Sequence, residues 1–129
     1  MRNQKVLMVC GVVSFALGVA FAGSIKAESH AAAYVISEIE VTNAEAYAKE
    51  YVPIATKALA QSGQKRLVSG GKTVSLSGPP PAGRIVVSKF DSLEQAKAAY
   101  SSPDYLEARK IGDKYGKLRI FAVEGLAAQ

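Results

Sequence analysis

The residues of this chain that can do chemistry are few and scattered. Glu38 and Glu40 stand two apart in Tyr34-Val35-Ile36-Ser37-Glu38-Ile39-Glu40-Val41, a stretch rich in β-branched residues. Strand alternation puts both carboxylates on one face. A desolvated carboxyl there would have the raised pKa of a general base, which makes Glu38 the catalytic candidate. A solvent-facing position, or an ion pair at a dimer seam, is the structural alternative. Ser102-Pro103-Asp104-Tyr105 reads as a helix start, with a hydroxyl at the cap, proline at N1 and an acid at N2. Amides at such a start favour an anion, so Ser102 and Tyr105 are candidate ligand-binding residues. Capping and core packing are their simpler roles. Arg84 opens the most apolar strand and can hold a carboxylate through two parallel hydrogen bonds. Tyr34 is the fourth binding candidate, one of several phenols with Tyr47, Tyr51 and Tyr100.

Composition closes off other chemistries. The only cysteine is Cys10 and the only histidine is His30. Cys10 falls in the leader described below, so the working domain has no thiolate nucleophile, thiolate metal site or disulfide. One histidine, placed before the first strand, supplies neither the usual zinc set nor a dependable triad member. No metal or cofactor is therefore expected. Gly71-Lys72-Thr73 imitates the end of a phosphate-binding loop, but the glycine that the motif needs five positions earlier is Arg66. The formal charge of +5 overstates the domain, because Arg2, Lys5 and Lys26 belong to the leader. What remains is too weakly basic for a nucleic-acid protein.

The leader is the clearest organisational signal. Arg2 and Lys5 precede an uncharged run from Val6 to Ala22. Ala20-Phe21-Ala22 and Ile25-Lys26-Ala27 then offer small-x-small cleavage sites. This pattern is a secretory signal over residues 1–27. The rival is a retained anchor, since residues 6–25 are about long enough to span a bilayer and would tether the domain to the inner membrane. Either way the domain is expected outside the cytoplasm, periplasmic or secreted. A linker at 28–33, a single α+β domain at 34–125 and a tail at 126–129 complete the organisation.

The elements that must position the candidates follow a β-α-β-β-α-β order. The first strand runs from Tyr34 to Val41. Thr42 and Glu45 read as a capping box for a helix from about Ala44 to Gln61, kinked at Pro53. Short strands are expected at Lys65–Ser69 and Thr73–Ser77, and a stronger one at Arg84–Phe90. Helices capped by Ser92 and Ser102 follow, then a last strand from Leu118 to Glu124. This order suits a ferredoxin-like split βαβ with two helices on one face of an antiparallel sheet. The strands are apolar on both sides, as in Val35 with Ile36, Ile85 with Val86 and Ile120 with Phe121. A monomer would leave one apolar face in water, so a homodimer with paired sheets is expected.

The Tyr34–Thr42 strand, Leu67-Val68-Ser69-Gly70-Gly71, Gly83-Arg84-Ile85-Val86-Val87 and Tyr100-Ser101-Ser102-Pro103-Asp104-Tyr105 together resemble the bacterial DUF1330 domain, over about Ala33 to Gly125. The resemblance implies the dimeric α/β-barrel class, which is ferredoxin-like and includes cofactor-free monooxygenases, muconolactone-isomerase-like enzymes and small stress-related proteins. Fold of this kind fixes no chemistry. This chain departs from the family at Ser69, where arginine is expected, at Lys89, where an acid is expected, and at Ala99, where tryptophan is expected. Its proline loop also lacks a tryptophan. The expectation is an exported homodimer that binds an apolar or carboxylated small molecule between sheet and helices. A cofactor-independent monooxygenase- or isomerase-like enzyme, and a structural or stress-related dimer without ligand, are the alternatives.

Overall fold

A computed structural model describes residues 30–127. The expected leader lies outside them. Four strands, β1 (Ala33–Val41), β2 (Lys65–Ser69), β3 (Arg84–Phe90) and β4 (Gly116–Glu124), form one sheet in the order β2-β3-β1-β4. Every neighbouring pair is antiparallel. That order follows from two crossovers: β1 reaches β2, and β3 reaches β4, each through helices, and each pair of strands leaves a gap that the other pair fills. The result is the ferredoxin-like α+β fold. Among the described residues no helix is long and apolar enough to cross a membrane.

Alternation in β1 sets the two faces. Ala33, Val35, Ser37 and Ile39 are buried beneath the helices, while Tyr34, Ile36, Glu38 and Glu40 point away from them. The core closes on Phe90, Val35, Leu59 and Tyr105, with alanines 55, 58, 96, 99 and 108 letting the helices approach. Phe90 is 1 % exposed, so truncating it to alanine would cost about 3–5 kcal/mol.

The first helical stretch differs from expectation in an instructive way. It comprises α1 (Ala44–Ala46), a π-helical turn (Tyr47–Tyr51) and α2 (Val52–Gln61). Its cap is Asn43, whose Oδ1 accepts the Ala46 N–H at 3.1 Å, not the expected Thr42. Pro53 lies at the start of α2 and has no N–H to return to the Lys49 carbonyl. The Val52 N–H instead reaches the Tyr47 carbonyl, one residue further back than an α-helix allows. The proline's disturbance is thus absorbed as one wide turn upstream. That turn carries Tyr47 and Tyr51, both buried.

The expected strand at Thr73–Ser77 is absent. Gly70 turns the chain out of β2, and residues 71–83 run as an exposed loop into β3. Val74 and Leu76 are 76 % and 93 % exposed, so strand propensity found no ladder to join. The remaining elements stand close to where they were expected. Ser92 Oγ accepts from Gln95 N–H at the start of α3 (Leu93–Tyr100), and Ser102 Oγ accepts from Tyr105 N–H at the start of α4 (Pro103–Tyr115).

Candidate functional site

The helix-side face of the sheet and the helices above it leave a cleft. Alternation in β3 sends Arg84 and Val86 to that face, and a bulge between Arg66 and Val68 in β2 puts Arg66 and Ser69, three residues apart, on the same face. Ser37 and Ile39 form the floor, α2 gives Val52, Ala55, Thr56 and Leu59, and the π-helical turn gives Tyr47 and Tyr51. Tyr100 comes from the end of α3 and Tyr105 from the first turn of α4. The cavity they enclose is about 50 Å³.

Its mouth is cationic and its interior phenolic. Arg84 Nη2 donates to the Ser69 carbonyl at 3.3 Å and to Ser69 Oγ at 3.0 Å. Arg66 Nη2 donates to Thr56 Oγ1 at 3.2 Å. Gly70 has a φ of +71°, and a Cβ there would fall 2.4 Å from Arg84 Nε. Only glycine lets the chain turn here and leaves Arg84 its place across the hairpin. The Tyr47 and Tyr51 ring centroids are 5.0 Å apart, and the Tyr100 and Tyr105 rings meet edge to face at 4.7 Å.

Burial favours the neutral form of Tyr47, Tyr51 and Tyr100. It raises Tyr47 above the usual tyrosine value against the opposing pull of Arg84, and it raises Tyr51 far above it. Tyr100 is pushed up to about 12 by burial, with the neighbouring Tyr105 adding to the rise. Tyr100 Oη accepts one hydrogen bond, from Gln64 Nε2 at 3.4 Å. The Tyr105 hydroxyl is buried close to Tyr51 and Arg109, yet meets neither at hydrogen-bonding geometry. An unsatisfied buried hydroxyl costs about 1–3 kcal/mol.

The five residues singled out from sequence are divided between three places. Arg84 and Tyr105 are brought together in the cleft. Ser102 is not among the cleft residues: its Oγ caps α4 and donates to the Ala99 carbonyl at 2.8 Å. Tyr34 and Glu38 lie on the opposite face of the sheet, and Glu38 Oε2 accepts from Arg119 Nη1 at 3.1 Å. The cleft itself adds Tyr47, Tyr51, Tyr100, Arg66 and Ser69. Strand alternation in Lys65–Ser69 was the available signal for Arg66, and the π-helical turn left none. Among the described residues no group of three histidines, cysteines or acids is placed to hold a metal ion.

The family signature of the domain of unknown function DUF1330 matches residues 32–126. The chain belongs to the DUF1330 family. A protein of unknown function from Rhodopseudomonas palustris superposes with a TM-score of 0.60 at 18 % identity, over 77 % of this chain and 85 % of that one. A Nitrosomonas europaea protein, provisionally named an antibiotic biosynthesis monooxygenase, gives 0.51 at 12 % identity, over 75 % and 92 %. SnoaB from Streptomyces nogalater, a cofactor-independent oxygenase, gives 0.49 at 10 % identity, over 76 % and 96 %. Likeness at such identities establishes the fold alone. No curated protein matches the chain.

Proposed function

We propose that this DUF1330 protein is an exported, homodimeric binding module that takes a small apolar or carboxylated molecule in the cleft between sheet and helices. The observation that carries this reading is the cleft's donor set. Two guanidinium groups stand at the mouth, four phenols line the interior, and the buried Tyr105 hydroxyl has no partner. No acid, histidine or cysteine is among the described residues lining it. Such a set attracts an anion and donates hydrogen bonds to it. It offers nothing that takes up a proton at neutral pH, which favours binding over general-base catalysis. A cofactor-independent enzyme built on Glu38 would need that carboxylate at the substrate, and its ion pair with Arg119 on the far face argues against this. The export part of the proposal rests on the positive, apolar and small-residue segments at the start of the sequence. An uncleaved inner-membrane anchor over residues 6–25 is its alternative.

The uncovered face of the sheet supports the dimer. It presents Tyr34, Ile36, Ile85, Val87, Phe121 and Val123, paired across strands by the register. Lys65 sits directly opposite Lys89 near the start of β1, with no ion-pair partner for either among the described residues, while toward the end of β1 Glu38 and Glu40 face Arg119 and Lys117 across the register. Like charges opposite one another destabilise a sheet, so the lysine end gains most from being covered by a partner that brings acids to it.

Native mass spectrometry on protein recovered from the cell envelope of its host tests both parts. The expected species is a dimer carrying an extra small mass that denaturation releases. A bare dimer would overturn the ligand reading, and a bare monomer the paired sheets.

A further inference from the structure

The cleft alone has room for the carboxylate of a ligand and little more. About 50 Å³ holds three or four waters, or a single carboxylate, whereas pockets for organic molecules run to ~300–1,000 Å³. Directly beside it, between α3, α4 and β4, lies a groove of about 350 Å³. Tyr100, Tyr105 and Ile120 border both spaces, so these side chains are the wall between them. The groove is otherwise apolar at Val35, Ala96, Leu106 and Ala122, with Arg109 and Lys97 also on its lining.

The two tyrosines are held differently. Tyr105 is 2 % exposed and packed into the core. Tyr100 is half-buried, its ring rests edge-on against Phe90 and Tyr105, and its hydroxyl keeps one long bond to Gln64. Rotating Tyr100 would break the bond to Gln64 and two edge-on ring contacts, a cost that a buried ligand tail must outweigh. The rotation would join the spaces into one site within the size range of ligand pockets, with Arg66 and Arg84 at the cleft end and an apolar stretch of Val35, Ala96, Leu106 and Ala122 at the other, bordered by Arg109 and Lys97.

Building on the ligand reading above, we propose that cleft and groove are the two ends of one site for an amphiphilic carboxylic acid. The carboxylate takes Arg84 and the free Tyr105 hydroxyl, the tail lies along Leu106 and Ala122, and Tyr100 swings aside to connect them.

The test is an NMR shift titration of the full protein with acetate, hexanoate and decanoate. Affinity should rise about threefold to fourfold per methylene, the factor that ~0.8 kcal/mol per buried CH₂ implies. Ala122→Phe, which fills the groove from the edge strand, should weaken decanoate at least tenfold and leave acetate unchanged. Arg84→Ala should weaken all three acids. Cross-relaxation from the decanoate methyl to Leu106 in the unaltered protein is expected and does not depend on any variant folding. Affinity that is flat with chain length, or decanoate indifferent to Ala122→Phe, would overturn the two-part site, yet leave the cleft reading standing if Arg84→Ala still weakens acetate. Failure of every acid to bind would remove both. Octyl phosphate binding as tightly as nonanoate would overturn the carboxylate assignment.

Discussion

A buried phenol that hydrogen-bonds nothing is uncommon, because its desolvation is uncompensated. At Tyr105 the ring is wanted by the core and the hydroxyl is not. Tyr105→Phe keeps the ring and removes the unsatisfied group, so the unliganded protein should be unchanged or stabilised by up to about 1 kcal/mol in urea denaturation. The same change should weaken carboxylate binding at least fivefold. A clear loss of stability would mean that the hydroxyl already has a partner, a bound water for example, and is not waiting for a ligand. Glu38 makes the complementary case. Its ion pair is partly solvated, on the face away from the cleft, and pairs of that kind contribute about 0.2–1 kcal/mol. Glu38→Gln should therefore leave cleft binding unchanged within twofold in the same titration. A tenfold effect would return Glu38 to the site.

At the scale of elements, the cleft depends on how α4 meets the π-helical turn. Gly112 in α4 is buried, and a Cβ there would come within 2.7 Å of the Tyr51 ring. Helix propensity alone would make Gly112→Ala favourable by about 1 kcal/mol. Overpacking of a core ring costs about 1–3 kcal/mol, and Tyr51 has little room to yield. The variant should therefore be less stable by about 1–2 kcal/mol, and Tyr51 should be displaced toward the cleft. Thermal unfolding and ligand titration would show the two effects together; a stabilised variant would mean that the helices separate freely. This contact was invisible in the sequence, where Gly112 reads only as a weak helix former. The helix caps at Ser92 and Ser102 were legible because their signal is local. So was β3, whose apolar run needs no partner to be recognised. The π-helical turn was not legible. Pro53 announces a disturbance, but where the backbone absorbs it depends on the tyrosines that the core must accept. Thr73–Ser77 failed for the opposite reason: its residues favour a strand, and no neighbour within the described chain takes up its edge.

For the whole molecule, the sequence's apolar alternation on both strand faces already implied a covered and an uncovered side. It did not say which candidate residues fell on which. That assignment separated Arg84 and Tyr105 from Tyr34 and Glu38, and it gives pH and association distinct expectations. Tyr100 is raised to about 12 by burial, and Tyr47 and Tyr51 are raised by the same cause. Above pH 10 the unfolded chain loses these protons and the folded one keeps them, so stability falls as pH rises. The contribution is fully present below pH 10 and, for Tyr100, is lost between about pH 10 and 12. Phenolate absorbance at 295 nm should appear together with unfolding across that window, and Tyr100→Phe should shallow the fall. Association should respond to the other face. Ile36 lies at its centre, flanked by Val87 and Phe121 in the register, while its side chain touches neither the cleft nor the core. Ile36→Lys would place a charge where the proposed pairing of sheets would exclude water, at a cost that should prevent it. On the proposed dimer, the unaltered protein should sediment as a dimer and the variant as a monomer at the same concentration, with the cleft's affinity for acetate retained. If the variant stays dimeric, the interface lies elsewhere, and the exposed Val74 and Leu76 of the 71–83 loop become the next surface to alter. If it is monomeric but has lost acetate binding, the cleft is shaped by the partner, and the binding unit is the pair of sheets, not the single domain.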